Sequence, residues 1–213
     1  MKKTILFILI LSFSTVFGQK IGELAKDKPP EEFPPNSWGM DILIGEGGFG
    51  LGTFYRHAFT DKITAFADFS ISESKDDREF EYIDIFGQPF VVGKKNRVFF
   101  LPLNFGIQYR LFAKELTANL RPYVNAGIGP NFIVTTPYNE EFFKSFGNAS
   151  LRYAVGGYVG IGANFGLSKS NLVGLNIRYY YAKIFGEGVE NLQNSFRSSI
   201  SSLYVTLNIG IMY

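Results

Sequence analysis

Apolar residues alternate with small or polar ones along seven stretches of this chain, and the last stretch carries the clearest pattern. Leu203, Val205, Leu207, Ile209, Ile211 and Tyr213 hold the odd positions, and Tyr204, Thr206, Asn208, Gly210 and Met212 the even ones. Successive side chains of a strand point to opposite faces, so a period of two is strand geometry. The pattern predicts strands at 200–213, 172–184, 151–167, 121–135, 97–112 and 62–72. Residues 38–59 read either as one long strand or as two strands joined at Gly47 and Gly48. A closed sheet with both ends on one side needs an even count, and a two-residue glycine connection is a favoured hairpin, so the expectation is two strands here and eight in all.

No other class of element supplies a core against which the oily faces could pack, so those faces are expected to meet lipid. The fold class that follows is all-β: a closed, eight-stranded, antiparallel, up-and-down transmembrane β-barrel. Connections alternate in length, as that topology requires. They are short at Thr60 and Asp61 and at 169–171, modest at 113–119, and long at 73–96, 136–150 and 185–199. Short turns are expected in the periplasm and long loops outside the cell.

Composition supports a barrel with a polar lumen. Aromatic residues make up 17% of the chain and there are 23 glycines, yet hydrophobic residues reach only 46%. With Cys 0, a disulfide framework and thiolate chemistry are excluded. Lys2 and Lys3, an apolar run at 5–17 and Gly18 before Gln19 read as a signal peptide over 1–18, with the mature chain beginning at Gln19. That run is shorter than the roughly 18 apolar residues a membrane helix needs, and no longer one follows. Removing Lys2 and Lys3 leaves 19 basic residues against 19 acidic, a balance that gives no reason to expect nucleic acid as a partner. Residues 19–37, with Pro29, Pro30, Pro34 and Pro35, read as a Pro-rich periplasmic linker, and 38–213 as the barrel.

Inward-facing charge is the main candidate chemistry. Alternation places Asp41, Arg56, Asp68, Arg110, Arg152 and Arg178 on the lumen face, with Asn104, Gln108, Asn125, Asn131, Asn164, Asn176 and Asn208. An eight-stranded barrel is just wide enough for its own side chains, so these groups are expected to form a structural polar network. Phe54, Phe66, Tyr123, Tyr158, Tyr180 and Tyr204 are placed to fill the space left by inward glycines. His57, the only histidine, shares a face with Tyr55 and Phe59 and is read as an outward interfacial residue beside the turn at Asp61. The first long loop carries Glu73, Asp76, Asp77, Glu79, Glu81 and Asp84 and is read as a solvated charged loop, without the spacing of a calcium loop. Its apolar residues, Phe80 to Val92, suggest a projecting hairpin able to add a strand to a partner. Phe142, Phe143 and Phe146 are expected to pack at the barrel mouth or to meet a ligand.

The signal peptide, the alternating strands and a last strand ending in an aromatic residue resemble the small outer-membrane β-barrel family of OmpX, OmpA and OmpW type. The resemblance spans 38–213 and implies an integral protein of the outer membrane of a Gram-negative-type envelope. It also implies that Tyr213 is the terminal aromatic read by the barrel assembly machinery. Lipids, lipopolysaccharide among them, and that machinery are the partners it implies, with the chain acting as a monomer. Members of the family have diverse functions. The expectation is a non-enzymatic envelope-structural or surface-interaction protein working through its long loops, with no catalytic, metal or cofactor residues assigned. A narrow conduit for small or hydrophobic solutes is the alternative. A lipid-modifying enzyme ranks third, because the histidine-before-serine motif of barrel deacylases is absent around His57.

Overall fold

The computed structural model describes residues 33–76, 78–113, 115–116, 120–165 and 170–213; the expected signal peptide and most of the Pro-rich linker lie outside the described residues. Among the described residues, twelve strands and one short α-helix followed by a single 3-10 turn (Phe146–Asn148) come in the order β1 (Asn36–Gly45), β2 (Gly48–Ala58), β3 (Ile63–Glu73), β4 (Glu81–Ile83), β5 (Pro89–Val91), β6 (Asn96–Arg110), β7 (Leu120–Pro137), α1 (Phe142–Ser145), β8 (Ser150–Phe165), β9 (Asn171–Ile184), β10 (Val189–Leu192), β11 (Ser195–Arg197) and β12 (Ser199–Met212). Eight of the strands close into an antiparallel barrel in the order β1-β12-β9-β8-β7-β6-β3-β2. The other four form two hairpins, β4-β5 and β10-β11, within the first and third long loops.

Residues 38–59 are two strands. β1 and β2 pair antiparallel down to Gly45 opposite Gly48, so the turn is centred on Glu46 and Gly47, one residue earlier than the expected glycine pair. Gly48 closes it at φ +124°, a conformation that a Cβ would strain. Closure comes from β1 lying between β2 and β12, with Asp41 opposite Gly52 on one side and Asn208 on the other. Every barrel strand therefore has two partners and no edge is left open.

The burial pattern is inverted relative to a soluble sandwich. Outward positions such as Ile44, Ile128, Val159, Ile177 and Ile209 are exposed, while Asp41, Asp68, Asn104, Arg178 and Asn208 are buried inside. Large inward rings are accommodated by glycines on other strands. A Cβ at Gly162 would lie 2.8 Å from the Tyr123 ring, and one at Gly45 would lie 2.6 Å from that of Tyr204. Among the described residues no helix is long and apolar enough to cross a membrane.

Candidate functional site

Arg178, on β9, is 2% exposed and stands at the centre of the lumen. Its Nη2 lies 3.0 Å from Asp41 Oδ2 and its Nη1 3.8 Å from Asp68 Oδ2. β9 and β3 are four strands apart whichever way the ring is followed, so the contact from Arg178 to Asp68 crosses the full lumen. The carboxylates are further held by neutral donors. Tyr158 OH donates to Asp68 Oδ2 at 2.7 Å, Asn104 Nδ2 donates to Asp68 Oδ1 at 2.9 Å, and Asn208 Nδ2 donates to Asp41 Oδ1. A buried charge is tolerable only when paired and hydrogen-bonded, and here both conditions are met by residues far apart in sequence.

Aromatic rings fill the rest of this cross-section. Tyr158 and Tyr180 lie with ring centroids 4.7 Å apart, Tyr180 meets Tyr204 edge-on at 5.6 Å, and Phe66 stacks on Tyr158 at 5.8 Å. Tyr204 also shares a hydrogen bond of 2.9 Å with Ser72 Oγ across the barrel. Toward the long loops the lumen becomes an apolar core of Leu43, Val98, Phe100, Ile133, Ile184 and Ile200. Sequence alternation did not single these residues out, because apolar residues occupy both faces of the strands there.

Toward the short turns the lumen is polar. Arg56 is buried, lies 4.1 Å over the Phe54 ring, and donates to Asn164 Oδ1 on the opposite strand at 3.3 Å. Among the described residues no carboxylate lies within ion-pairing distance of it. Gln108 Oε1, Asn125 Oδ1, Thr206 Oγ1 and both amide atoms of Asn176 are buried without a protein partner, so water is the partner available to them. At the mouth, Phe33 packs against Phe54, Leu172 and Met212, with the Arg121 guanidinium 3.8 Å from its ring. The linker thus reaches the barrel, a contact that composition alone did not reveal.

Two of the six expected network residues stand apart from it. Arg110, at the turn end of β6, is half-buried and donates to the Leu116 carbonyl at 2.7 Å. Arg152 lies on the inward register of β8 but is exposed, because the strand has by then passed the rim. Face is set by parity, whereas height depends on where each strand enters the barrel. His57 lies at the short-turn end, its Nδ1 2.7 Å from Asn36 Oδ1 and its ring edge-on to Phe59 at 5.1 Å, away from the lumen groups. The Tyr213 side chain is exposed, and its backbone exchanges hydrogen bonds with Asn36.

The long loops form a second polar cluster. Lys94 Nζ lies 2.9 Å from Glu79 and 3.6 Å from Glu73; Asp76 pairs with Arg78 at 2.9 Å and with Arg197 at 3.8 Å; Lys95 meets Glu190 at 2.5 Å. Asn191 ties the third loop to the first, donating to Glu79 Oε1 and to the Ser74 carbonyl. The first loop is therefore more than a solvated charged loop, since Asp76 and Glu79 are sunk into a cap built jointly with the third loop. The guanidinium of Arg78, hydrogen-bonded to Asp76, holds that carboxyl below the usual carboxylate range, and burial opposes the effect. Lys95 lowers Glu190 in the same manner, with the Asn194 backbone N–H adding to it. The β4-β5 hairpin projects from this cap, with Ile85 and Phe86 exposed at its tip. Two clefts of about 180 and 230 Å³ flank Glu79, and Lys75 lines both. Among the described residues no three His, Cys, Asp or Glu side chains are grouped to hold a metal ion.

No family model matches this sequence, and no curated protein matches it. Solved structures do. The chain is similar to Neisserial surface protein A at 12% identity with a TM-score of 0.51, over 86% of this chain and 100% of that one. Two further matches are the N-terminal β-barrel domain of OprF from Pseudomonas aeruginosa (12% identity, TM-score 0.42, 84% and 98% covered) and Ail of Yersinia pestis in a phospholipid bilayer nanodisc (13%, 0.42, 84% and 99%). At this level of identity the likeness to the Neisserial protein concerns the fold alone.

Proposed function

We propose that this chain is an integral outer-membrane β-barrel that is not an enzyme, with a lumen closed at mid-height and an envelope-structural or surface-interaction role carried by the loop cap. One observation carries the reading: apolar side chains cover the outside of the closed barrel while a paired Arg–Asp–Tyr network fills its inside. In water such a surface would be an aggregation hazard, whereas in a bilayer it is the stable arrangement. The short-turn end then faces the periplasm and the cap faces outward, in contact with lipopolysaccharide. The exposed Tyr213 ring beside the end of β12 is what the barrel assembly machinery would read.

A conduit is the second reading, favoured by the polar half of the lumen below Arg178, where Arg56 and the unpartnered amide atoms of Gln108, Asn125 and Asn176 lie. The ring-filled cross-section above it favours closure. The membrane assignment is tested by electrophoresis and extraction. The native chain should migrate differently before and after boiling and should stay with membranes in carbonate. Identical mobility together with carbonate release would overturn it.

A further inference from the structure

The aromatic residues of the second long loop lie outside the barrel, not over its mouth. Phe99 belongs to the outward face of β6, with Leu101, Leu103 and Phe105, while its neighbours Val98 and Phe100 are 1% exposed inside. Phe146 stacks on the Phe99 ring at 5.7 Å and Phe142 meets it edge-on at 6.2 Å. The turn of α1 therefore folds down over the upper edge of the apolar outer face. Phe143 is left 80% exposed, in edge contact with Phe142 at 5.2 Å.

The segment is held in this pose by its own hydrogen bonds. Ser145, fully buried, donates through Oγ to the Phe142 carbonyl at 2.7 Å and through its N–H to the Glu141 carbonyl at 2.9 Å. Arg97 Nη1 donates to the Pro137 and Glu140 carbonyls at 2.9 and 3.2 Å. Asn148 Nδ2 holds the Glu140 carboxylate at 2.9 and 3.1 Å. Ordering a loop costs conformational entropy, and here the order presents large apolar rings away from the protein. Lys144, next to Phe143, is exposed, and its long side chain can keep its ammonium group at a polar surface while its stem lies along an apolar one.

We propose that α1 and the turn after it form an interfacial foot: Phe142, Phe143 and Phe146 enter the boundary between headgroups and acyl chains of the surrounding leaflet, and Lys144 meets lipid phosphate. Continuity with the outer face through Phe99 selects lipid as the occupant over a protein partner. Aromatic rings are favoured at that depth, and a basic residue beside them adds attraction to anionic headgroups. The inference rests on the membrane reading above, and the test separates the two.

Trp38 is the only tryptophan, half-exposed on the outward face of β1. The full chain is reconstituted in phosphatidylcholine vesicles containing lipids brominated at shallow or deep acyl positions, and fluorescence quenching is read for the native chain and for Trp38→Phe/Phe143→Trp. The native chain should be quenched, which tests the membrane reading alone. In the double variant, shallow bromines should quench more than deep ones, and aqueous acrylamide should quench several-fold less than it quenches free tryptophan. If the native chain is quenched and the double variant is not, the foot is refuted and the barrel assignment stands. Protection of that variant from both quenchers would point to protein covering the site and would also refute it. If Trp38 itself escapes brominated lipid, both readings fail. The chain has no cysteine, so a nitroxide on Phe143→Cys gives an independent measurement. Relaxation by oxygen exceeding that by an aqueous nickel complex supports the foot, and the reverse order refutes it.

Discussion

Arg178 and Lys94 are both cations held between two carboxylates, one in the lumen and one in the loop cap. Arg178 has Asp41 at 3.0 Å and Asp68 at 3.8 Å; Lys94 has Glu79 at 2.9 Å and Glu73 at 3.6 Å. The distances match, but the surroundings do not. All three lumen side chains are at most 4% exposed and come from β1, β3 and β9, fixed in place by the closed ladder. In the cap, Lys94 and Glu79 are also buried, at 7% and 2%, but both lie on a loop outside the barrel ladder, and Glu73, at the end of β3, is 36% exposed. The pairing geometry alone therefore says little about energy. What separates the two is whether the groups left behind by a broken pair can be rescued.

Arg178→Ala should have the largest effect. Removing one partner of a fully buried pair typically costs about 3–5 kcal/mol, because the remaining charges have no exit. Here two carboxylates would be left, and the urea midpoint for unfolding from lipid vesicles should fall accordingly. Adding Asp41→Asn and Asp68→Asn should restore much of the loss, and no restoration would mean that packing matters more than charge at this level.

Next comes a substitution that perturbs packing without touching charge. A Cβ at Gly162 would press on the Leu175 carbonyl oxygen as well as on the Tyr123 ring at 2.8 Å, so Gly162→Val should cost about 1–3 kcal/mol by overpacking. Lys94→Ala strands the buried Glu79 but leaves it in a loop, and about 1–3 kcal/mol is the expected ceiling. That loss should appear as faster proteolysis of 73–96 with the barrel's midpoint little changed. Lys95→Ala removes a pair whose lysine is half exposed and screened by solvent, and should have the smallest effect on stability. If the two lysine substitutions behaved alike, the cap would be uniformly solvated and its difference from the lumen only one of degree.

Acid should act on the cap through Asp76. Its folded pKa is depressed, so its contribution is present above the unfolded value of about 3.9 and is lost as pH falls through the lower folded value. Hydrogen exchange at the first loop should quicken over that window, and Arg78→Ala should move the onset to higher pH. An unchanged onset would show that Arg78 is not what holds the carboxyl down.

The barrel itself was legible because parity reports face wherever one face is apolar and the other is not. The long strands and the burial of Asp41, Asp68 and Arg178 follow from it, while the split near Gly47 needed the even count of a closed barrel and the glycine turn as well. Three features were not legible, each for its own reason. Height along the barrel depends on how each strand is offset from its neighbours, which is why Arg152 lies above the rim and Arg110 at the turn despite inward parity. The apolar upper lumen is hidden where both faces are apolar, as at Val98 to Leu101. The cap depends on contacts between loops more than 100 residues apart, such as Asn191 with Ser74, which carry no local signature.

The central claim, that the lumen is closed at the level of Arg178, is tested most directly by current through the purified chain in planar bilayers at neutral pH. The account predicts no steady conductance for the native protein. Stable, ion-selective openings whose selectivity changes in Arg178→Ala would contradict it.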